Sequence, residues 1–314
     1  MKNIKRNYIV ASSLLILFAA LFLFYGIGSN WEFALKLRSL KLVAILVVSG
    51  SVAYSTVAFQ TITNNRILTP SIMGFESVYL LLQTIIVYIY GDSTYKVLGS
   101  LGNFTLSIVC MIGFAFLLYL LIYKKGKDNL YLLLLVGIIL GSLFNSLRSF
   151  MQLLIDTNDY FIIQGKMFAT FNKVNTSLLW PSVIITVVAL LYGFTQTKYL
   201  DILSLGRDQA INLGVNYNNK VKLFLVIISV LASVSTALVG PITFLGLLVS
   251  NLTYEIFKTY KHKVIISAAI LVTAVTLLGG QFMMERFFKL SIPVSAIINM
   301  VGGVYFMYLL LRVK

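Results

Sequence analysis

The chain has 314 residues, 59% of them hydrophobic and 11% charged, against about 45–50% and about 25% in an ordinary soluble domain. A mean hydropathy of +0.92 cannot be hidden inside a water-soluble core, because surface grows with size and must be covered by polar groups. The 25 basic and 10 acidic residues leave a net charge of +15 beside one Cys and one His, which excludes a disulfide framework and a multi-ligand zinc site and points to membrane loops rather than nucleic acid.

A membrane-crossing helix needs about 20 mostly apolar residues with every backbone group paired inside it. Polar punctuation divides the chain into about ten such spans, at 8–28, 41–60, 70–90, 100–123, 129–151, 176–195, 221–238, 242–257, 264–284 and 293–312. Lys2, Lys5 and Arg6 before the first span resemble a signal peptide. The apolar stretch is longer than a signal core and no small-residue cleavage site follows, so a retained helix is expected. Pro70 suits the first turn of a helix leaving the cytoplasmic face, and Pro181 a kink or early turn. Gly240-Pro241 breaks two apolar runs, and Pro293 opens the last helix. No linker interrupts the chain, so residues 1–314 are expected to form a single membrane domain.

With the N-terminus inside and alternating spans, 16 of the 25 basic residues fall on the cytoplasmic side, which puts both termini there. The outer face keeps Arg38, Lys41, Lys166, Lys173, Arg286 and Lys289. The longest inner loop, 196–220, is too polar to span. Leu200, Leu203, Leu205, Ala210, Ile211 and Leu213 recur at amphipathic-helix spacing between the breaks Gly206 and Gly214. It reads either as a helix on the bilayer surface or as a docking element for a cytoplasmic partner.

Glu76 is a carboxylate inside an expected span, six residues after Pro70. It fits a proton-coupled group or a structural partner of a cation such as Arg66. Asn145, Arg148 and Gln152 share a face of the fifth span, where they would line a pathway or hydrogen-bond to other helices. His262, between Lys261 and Lys263, reads as solvated, and Cys110 as a packing group. No cluster of His, Asp, Glu or Cys suits direct iron coordination.

A family resemblance rests on four stretches. Leu205-Gly206-x3-Ala210-x2-Leu213-Gly214-Val215 resembles the coupling-helix motif of bacterial importer permeases for iron–siderophores and vitamin B12, the FecCD type. Gly240 to Val249, Arg38-x2-Lys41 through Gly50 to Gln60 with Pro70 and Gly74, and Pro293-Val294 with Gly302-Gly303 through Leu310 resemble further segments of that family, in order along the chain. The chain departs from it at Ser250-Asn251, where many members have Pro-His, and at Gln281, where many have Asp. Asn251 to Glu255, Gly279-Gly280-Gln281 and Glu285-Arg286 look most like the branch that handles catecholate siderophores.

The resemblance implies an all-α, polytopic permease of about ten transmembrane helices with type II ABC importer architecture. It implies a second permease, identical or related, a cytosolic ATPase dimer that binds ATP and magnesium, and an extracytoplasmic binding protein. Arg38, Lys41 and Arg286 would meet acidic groups of that binding protein, or else snorkel or pair with Glu32 and Glu285. Leu205, Gly206, Ala210, Leu213, Gly214 and Val215 would touch the ATPase. No Gly-x4-Gly-Lys-Ser/Thr loop is present, so this chain is not expected to hydrolyse ATP itself; the resemblance implies a transport subunit of the bacterial cell membrane, not an enzyme, with no cofactor of its own. An ion-coupled secondary transporter using Glu76, and a vitamin B12 or haem permease of the same family, stand as the alternatives. A membrane scaffold would not need ten ordered spans.

Overall fold

The computed structural model describes residues 2–26, 30–91, 98–123, 130–172, 174–288 and 292–312. Lys173 and Lys289 of the outer basic set lie outside the described residues. The helices are α1 (Lys2–Phe24), α2 (Trp31–Ile62), a 3-10 turn (Pro70–Met73), α3 (Phe75–Tyr90), α4 (Gly99–Tyr123), α5 (Leu130–Gln152) and α6 (Thr157–Lys166). They continue with α7 (Thr176–Thr195), α8 (Thr197–Leu203), α9 (Arg207–Asn212), α10 (Tyr217–Val239), α11 (Leu245–Ile256), α12 (His262–Arg286) and α13 (Val294–Arg312). Among the described residues there is no strand.

Each expected span has its helix, in order. Seven of them, α1, α2, α4, α5, α7, α10 and α12, are long and apolar enough to cross a membrane. Two others fall short of the expected span. α3 has 16 residues and α11 has 12, or about 24 Å and about 18 Å at 1.5 Å per residue, against a hydrocarbon core of about 30 Å. Both are preceded by a break. Pro70 opens the 3-10 turn that ends at Gly74 in the left-handed region, and Gly240-Pro241 separates α10 from α11. Irregular backbone at such depth survives only where protein or a polar cavity covers it.

The centre of the bundle is α2, which packs along α10 and α12 and also meets α7 and α11. Its 32 residues run past the expected start at 41 back to Trp31, with Glu32 favourably placed in the first turn. One core cluster holds Tyr54, Phe59, Phe224, Leu231 and Ile266 around the C-terminal half of α2. A second holds Phe22, Ile45, Phe171, Leu245 and Leu277 around its N-terminal half. α1 lies against α12 and leaves Ile9, Ile16 and Leu17 exposed, as a lipid-facing helix does.

α3 meets α5 at a glycine contact. Gly74 has φ +89°, and a Cβ there would stand 3.0 Å from Gly141 Cα and 3.1 Å from Gly137 O. Both obstacles are backbone and cannot rotate away. Gly74→Ala is therefore expected to lower stability by about 2–5 kcal/mol, combining the left-handed penalty with overpacking. Gly113→Ala, whose Cβ meets nothing within 4 Å, is the control and should be near neutral. Thermal unfolding of the two purified variants in detergent, followed by monodisperse fraction, separates them; equal midpoints would remove the contact from the account.

Candidate functional site

The two breaks face each other. Glu76, second residue of α3, has its carboxylate at that helix's positive end and accepts a 2.6 Å hydrogen bond from Thr243 Oγ1, in the break before α11. Ser71 in the 3-10 turn donates to it as well. Beside them a cavity of about 30 Å³ is lined by Ser55, Thr56, Ser71, Ser235 and Thr236, with room for about one water. Arg66, the expected structural partner, does not meet Glu76; its guanidinium lies 4.6 Å from the centre of the Tyr254 ring. The 3-10 turn redirects the chain between them, so Glu76 points at α11's break while Arg66 stays at its far end.

The 196–220 loop forms two short helices at right spacing for a surface element. Ala210 is completely buried and anchors α9 to the body, so it is a foot rather than a contact. Leu205, Ile211 and Leu213 are 56%, 49% and 60% exposed, three aliphatic side chains offered outward by a segment that does not cross the membrane. Gly206 has φ +99° and starts α9; Gly214 has φ +79° and ends it. Gly214 N–H donates to Ile211 O (2.8 Å) and Val215 N–H to Ala210 O (3.1 Å), the closure that a left-handed residue after a helix provides.

His262 is the main correction to the sequence reading. It is 5% exposed, not solvated. Asp201 of α8 accepts at Oδ1 from both His262 N–H and Nδ1–H, each at 2.7 Å, capping the first turn of α12 with a carboxylate. On the other side His262 Nε2 lies 2.8 Å from Thr61 Oγ1 near the end of α2. One imidazole therefore ties the loop helix to the two central helices. The flanking lysines suggested solvent; the partner that closes over the ring comes from 61 residues earlier.

At the end of the bundle where α1 stops and α2 starts, the three basic candidates are already engaged within the chain. Arg38 Nη1 donates to Leu23 O (2.9 Å) and Tyr25 O (3.0 Å), closing the C-terminal end of α1. Arg286 donates to the same Tyr25 carbonyl and stacks on the Tyr25 ring. Lys41 pairs with Glu285 (2.9 Å) and donates to Asn172 Oδ1 (2.9 Å), while Gln281 bonds both of those acceptors. All three stay partly exposed. The segment after α6 descends from this rim to the break: Thr170 N–H donates to Val239 O at 2.9 Å, and Ala169 is wholly buried.

Along α5, Asn145 donates to Ser77 Oγ of α3 (3.0 Å). Arg148 Nε and Gln152 Nε2 are buried with no hydrogen-bond partner among the described residues. Ser142, Ser146 and Ser149 are exposed on the same helix. Buried ionisable and amide groups on a spanning helix ordinarily face protein or a water-filled path. Among the described residues no three His, Cys, Asp or Glu side chains come together.

Comparison with known proteins places this geometry. A family model described as the FecCD transport family matches residues 8–312. The chain is 49% identical to the petrobactin import system permease protein YclO of Bacillus subtilis (strain 168), over 95% of each chain. It is 37% identical to the petrobactin import system permease protein FatC of Bacillus anthracis, over 88% of this chain and 78% of that one. A solved chain described as an inward-facing conformation of a metal-chelate type ABC transporter superposes with a TM-score of 0.86 at 23% identity, covering 99% of this chain and 100% of that chain, and shares its fold.

Proposed function

The chain belongs to the FecCD transport family, and from that premise we propose that it is the permease subunit of an ATP-driven importer for a ferric siderophore of catecholate type. The observation that carries the reading is the 49% identity to a petrobactin import permease over 95% of both chains. The protein is a multi-pass transport component of a bacterial membrane rather than an enzyme. The ion-driven alternative through Glu76 is set aside by the family membership; among the relatives, the names also include hydroxamate and molybdate permeases at 26% identity.

In this reading a second permease, identical or related, faces the polar side of α5, and Asn145, Arg148 and Gln152 line the pathway between them. A cytosolic ATPase dimer, which holds ATP and magnesium, grips Leu205, Ile211 and Leu213, while Gly206, Ala210, Gly214 and Val215 shape the loop that presents them. Both termini are cytoplasmic. ATP-driven movement of that loop passes through Asp201 and His262 to α2 and α12, and the Glu76–Thr243 contact is where the two broken helices part or meet. This chain needs no cofactor of its own.

The test is reconstitution with its ATPase, partner permease and binding protein in liposomes, following ferric petrobactin entry. Uptake should require ATP and persist when proton and sodium gradients are collapsed; gradient-driven uptake without ATP would overturn the reading.

An acidic binding protein docks on Arg38, Lys41 and Arg286. Because these cations also hold the outer ends of α1, α2 and α12, docking there presses on the helix ends themselves. Arg38→Glu is expected to weaken binding-protein association by about tenfold at low salt and less at high salt. An unchanged Kd with an unchanged salt dependence, measured by surface plasmon resonance, would remove Arg38 from the interface.

A further inference from the structure

A small cavity of about 80 Å³ lies between the spanning helices α4 and α10. Ile112, Phe116 and Tyr119 line it from α4, and Lys222, Val226 and Ser229 from α10. Spacings of four and three residues keep each set on one helix face, along a groove about 10 Å long. Phe116 and Val226 are 57% and 53% exposed, so the groove opens outward from the bundle. At one end Ser229 is buried and its hydroxyl donates to Val226 O at 2.8 Å. At the other, Lys222 Nζ lies 5.0 Å from the centre of the Tyr119 ring. Among the described residues Lys222 meets no carboxylate. Its neighbour Lys220 differs, donating to Gln196 Oε1 at 3.0 Å and lying 3.4 Å from the centre of the Tyr199 ring. Lysines set against tyrosines near helix ends are the usual mark of the headgroup level.

We infer that this groove holds one anionic phospholipid, with its phosphate on Lys222 and an acyl chain laid between α4 and α10. The inference needs only that the chain spans a membrane and is independent of what it transports. The volume is far below that of an ordinary ligand pocket, which suits a slot for part of a chain rather than a soluble molecule. The Tyr119 ring face attracts the ammonium, yet it leaves N–H donors of Lys222 to seek an oxygen. A phosphate oxygen supplies a charge-assisted acceptor at the depth where that ammonium sits. Net charge then selects the lipid. Phosphatidylcholine carries a quaternary ammonium of its own, which Lys222 repels, whereas phosphatidylglycerol brings a phosphate without a compensating cation.

The test is native mass spectrometry of the full chain in neutral detergent, titrated with dioleoyl-phosphatidylglycerol or dioleoyl-phosphatidylcholine. The first phosphatidylglycerol should bind more tightly than the first phosphatidylcholine. Lys222→Gln should raise the Kd for phosphatidylglycerol by about fivefold, the loss expected for one lysine at an anionic headgroup. The same variant should leave phosphatidylcholine where it was, and Lys222→Arg should stay close to the parent protein. Val226→Trp, which fills the groove from its open side, should weaken phosphatidylglycerol as well and tests the chain slot without touching the cation. Lys198→Gln is the control, because that exposed lysine stands over Tyr199 and outside the groove. Equal affinity of the parent for the two lipids, or unchanged phosphatidylglycerol affinity in Lys222→Gln, would overturn the site. An equal loss in Lys198→Gln would also overturn it, by reducing the effect to general surface attraction. A photoreactive group placed at Val226 should crosslink to lipid; crosslinking to a second permease chain instead would show that protein covers the groove and would overturn the lipid assignment.

Discussion

Transport is expected to vanish in a Gly206→Val, Gly214→Val double variant that still inserts into the membrane. Both glycines sit at positive φ, +99° and +79°, where an L-residue costs about 1–2 kcal/mol and a β-branched one more. Two such penalties together shift the loop away from its native shape by a factor of about 30–1,000. What moves is the outward set Leu205, Ile211 and Leu213, since Ala210 keeps its anchor in the core. Space does not explain the effect at Gly214, whose Cβ would meet nothing within 4 Å. Gly214→Asn is the informative partner, because Asn tolerates the left-handed region, and it should retain most uptake. Insertion is read by membrane fractionation, assembly by copurification with the ATPase, and function by uptake. Parent-level uptake in the double variant would sink the coupling role of the loop.

Breaking the imidazole tie should uncouple the machine rather than disable its motor. His262→Ala removes the Nδ1–Asp201 bond and the Nε2–Thr61 contact together, leaving Asp201 with only the backbone N–H of residue 262. Loss of a partly buried charged hydrogen bond costs about 1.5–3 kcal/mol, so uptake per ATP hydrolysed is expected to fall about 10- to 100-fold. Hydrolysis by the reconstituted complex should continue. Asp201→Asn keeps an acceptor for the α12 N–H groups without the charge, and should land between the two. The ratio of chelate imported to phosphate released decides the matter. A ratio equal to that of the parent would make His262 an ordinary core side chain.

The spans were legible because the hydrocarbon core imposes a composition that polar residues interrupt visibly; each expected stretch carries a helix. The short helices of the 196–220 loop were legible for a related reason, since its aliphatic spacing and two glycines are local signals. Less could be read where meaning depends on what a residue meets. Glu76 and Thr243 are 167 residues apart, and nothing near either one announces the other. His262 looked solvated between two lysines because the sequence does not show Asp201 folding over it. α6 went unseen because TNDYFIIQGK is too short and polar to register as a span. Arg38, Lys41 and Arg286 gather at one end of the bundle, but the sequence does not show their carbonyl and carboxylate partners, which come from other parts of the chain.

The Thr170–Val239 hydrogen bond joins an outer segment to the end of α10 with no spring between them. A peptide-to-peptide contact of this kind fixes the spacing of the two segments, so the rim and the helix break share one joint. In the proposed importer, docking at the rim and opening at the break would then be two ends of one event.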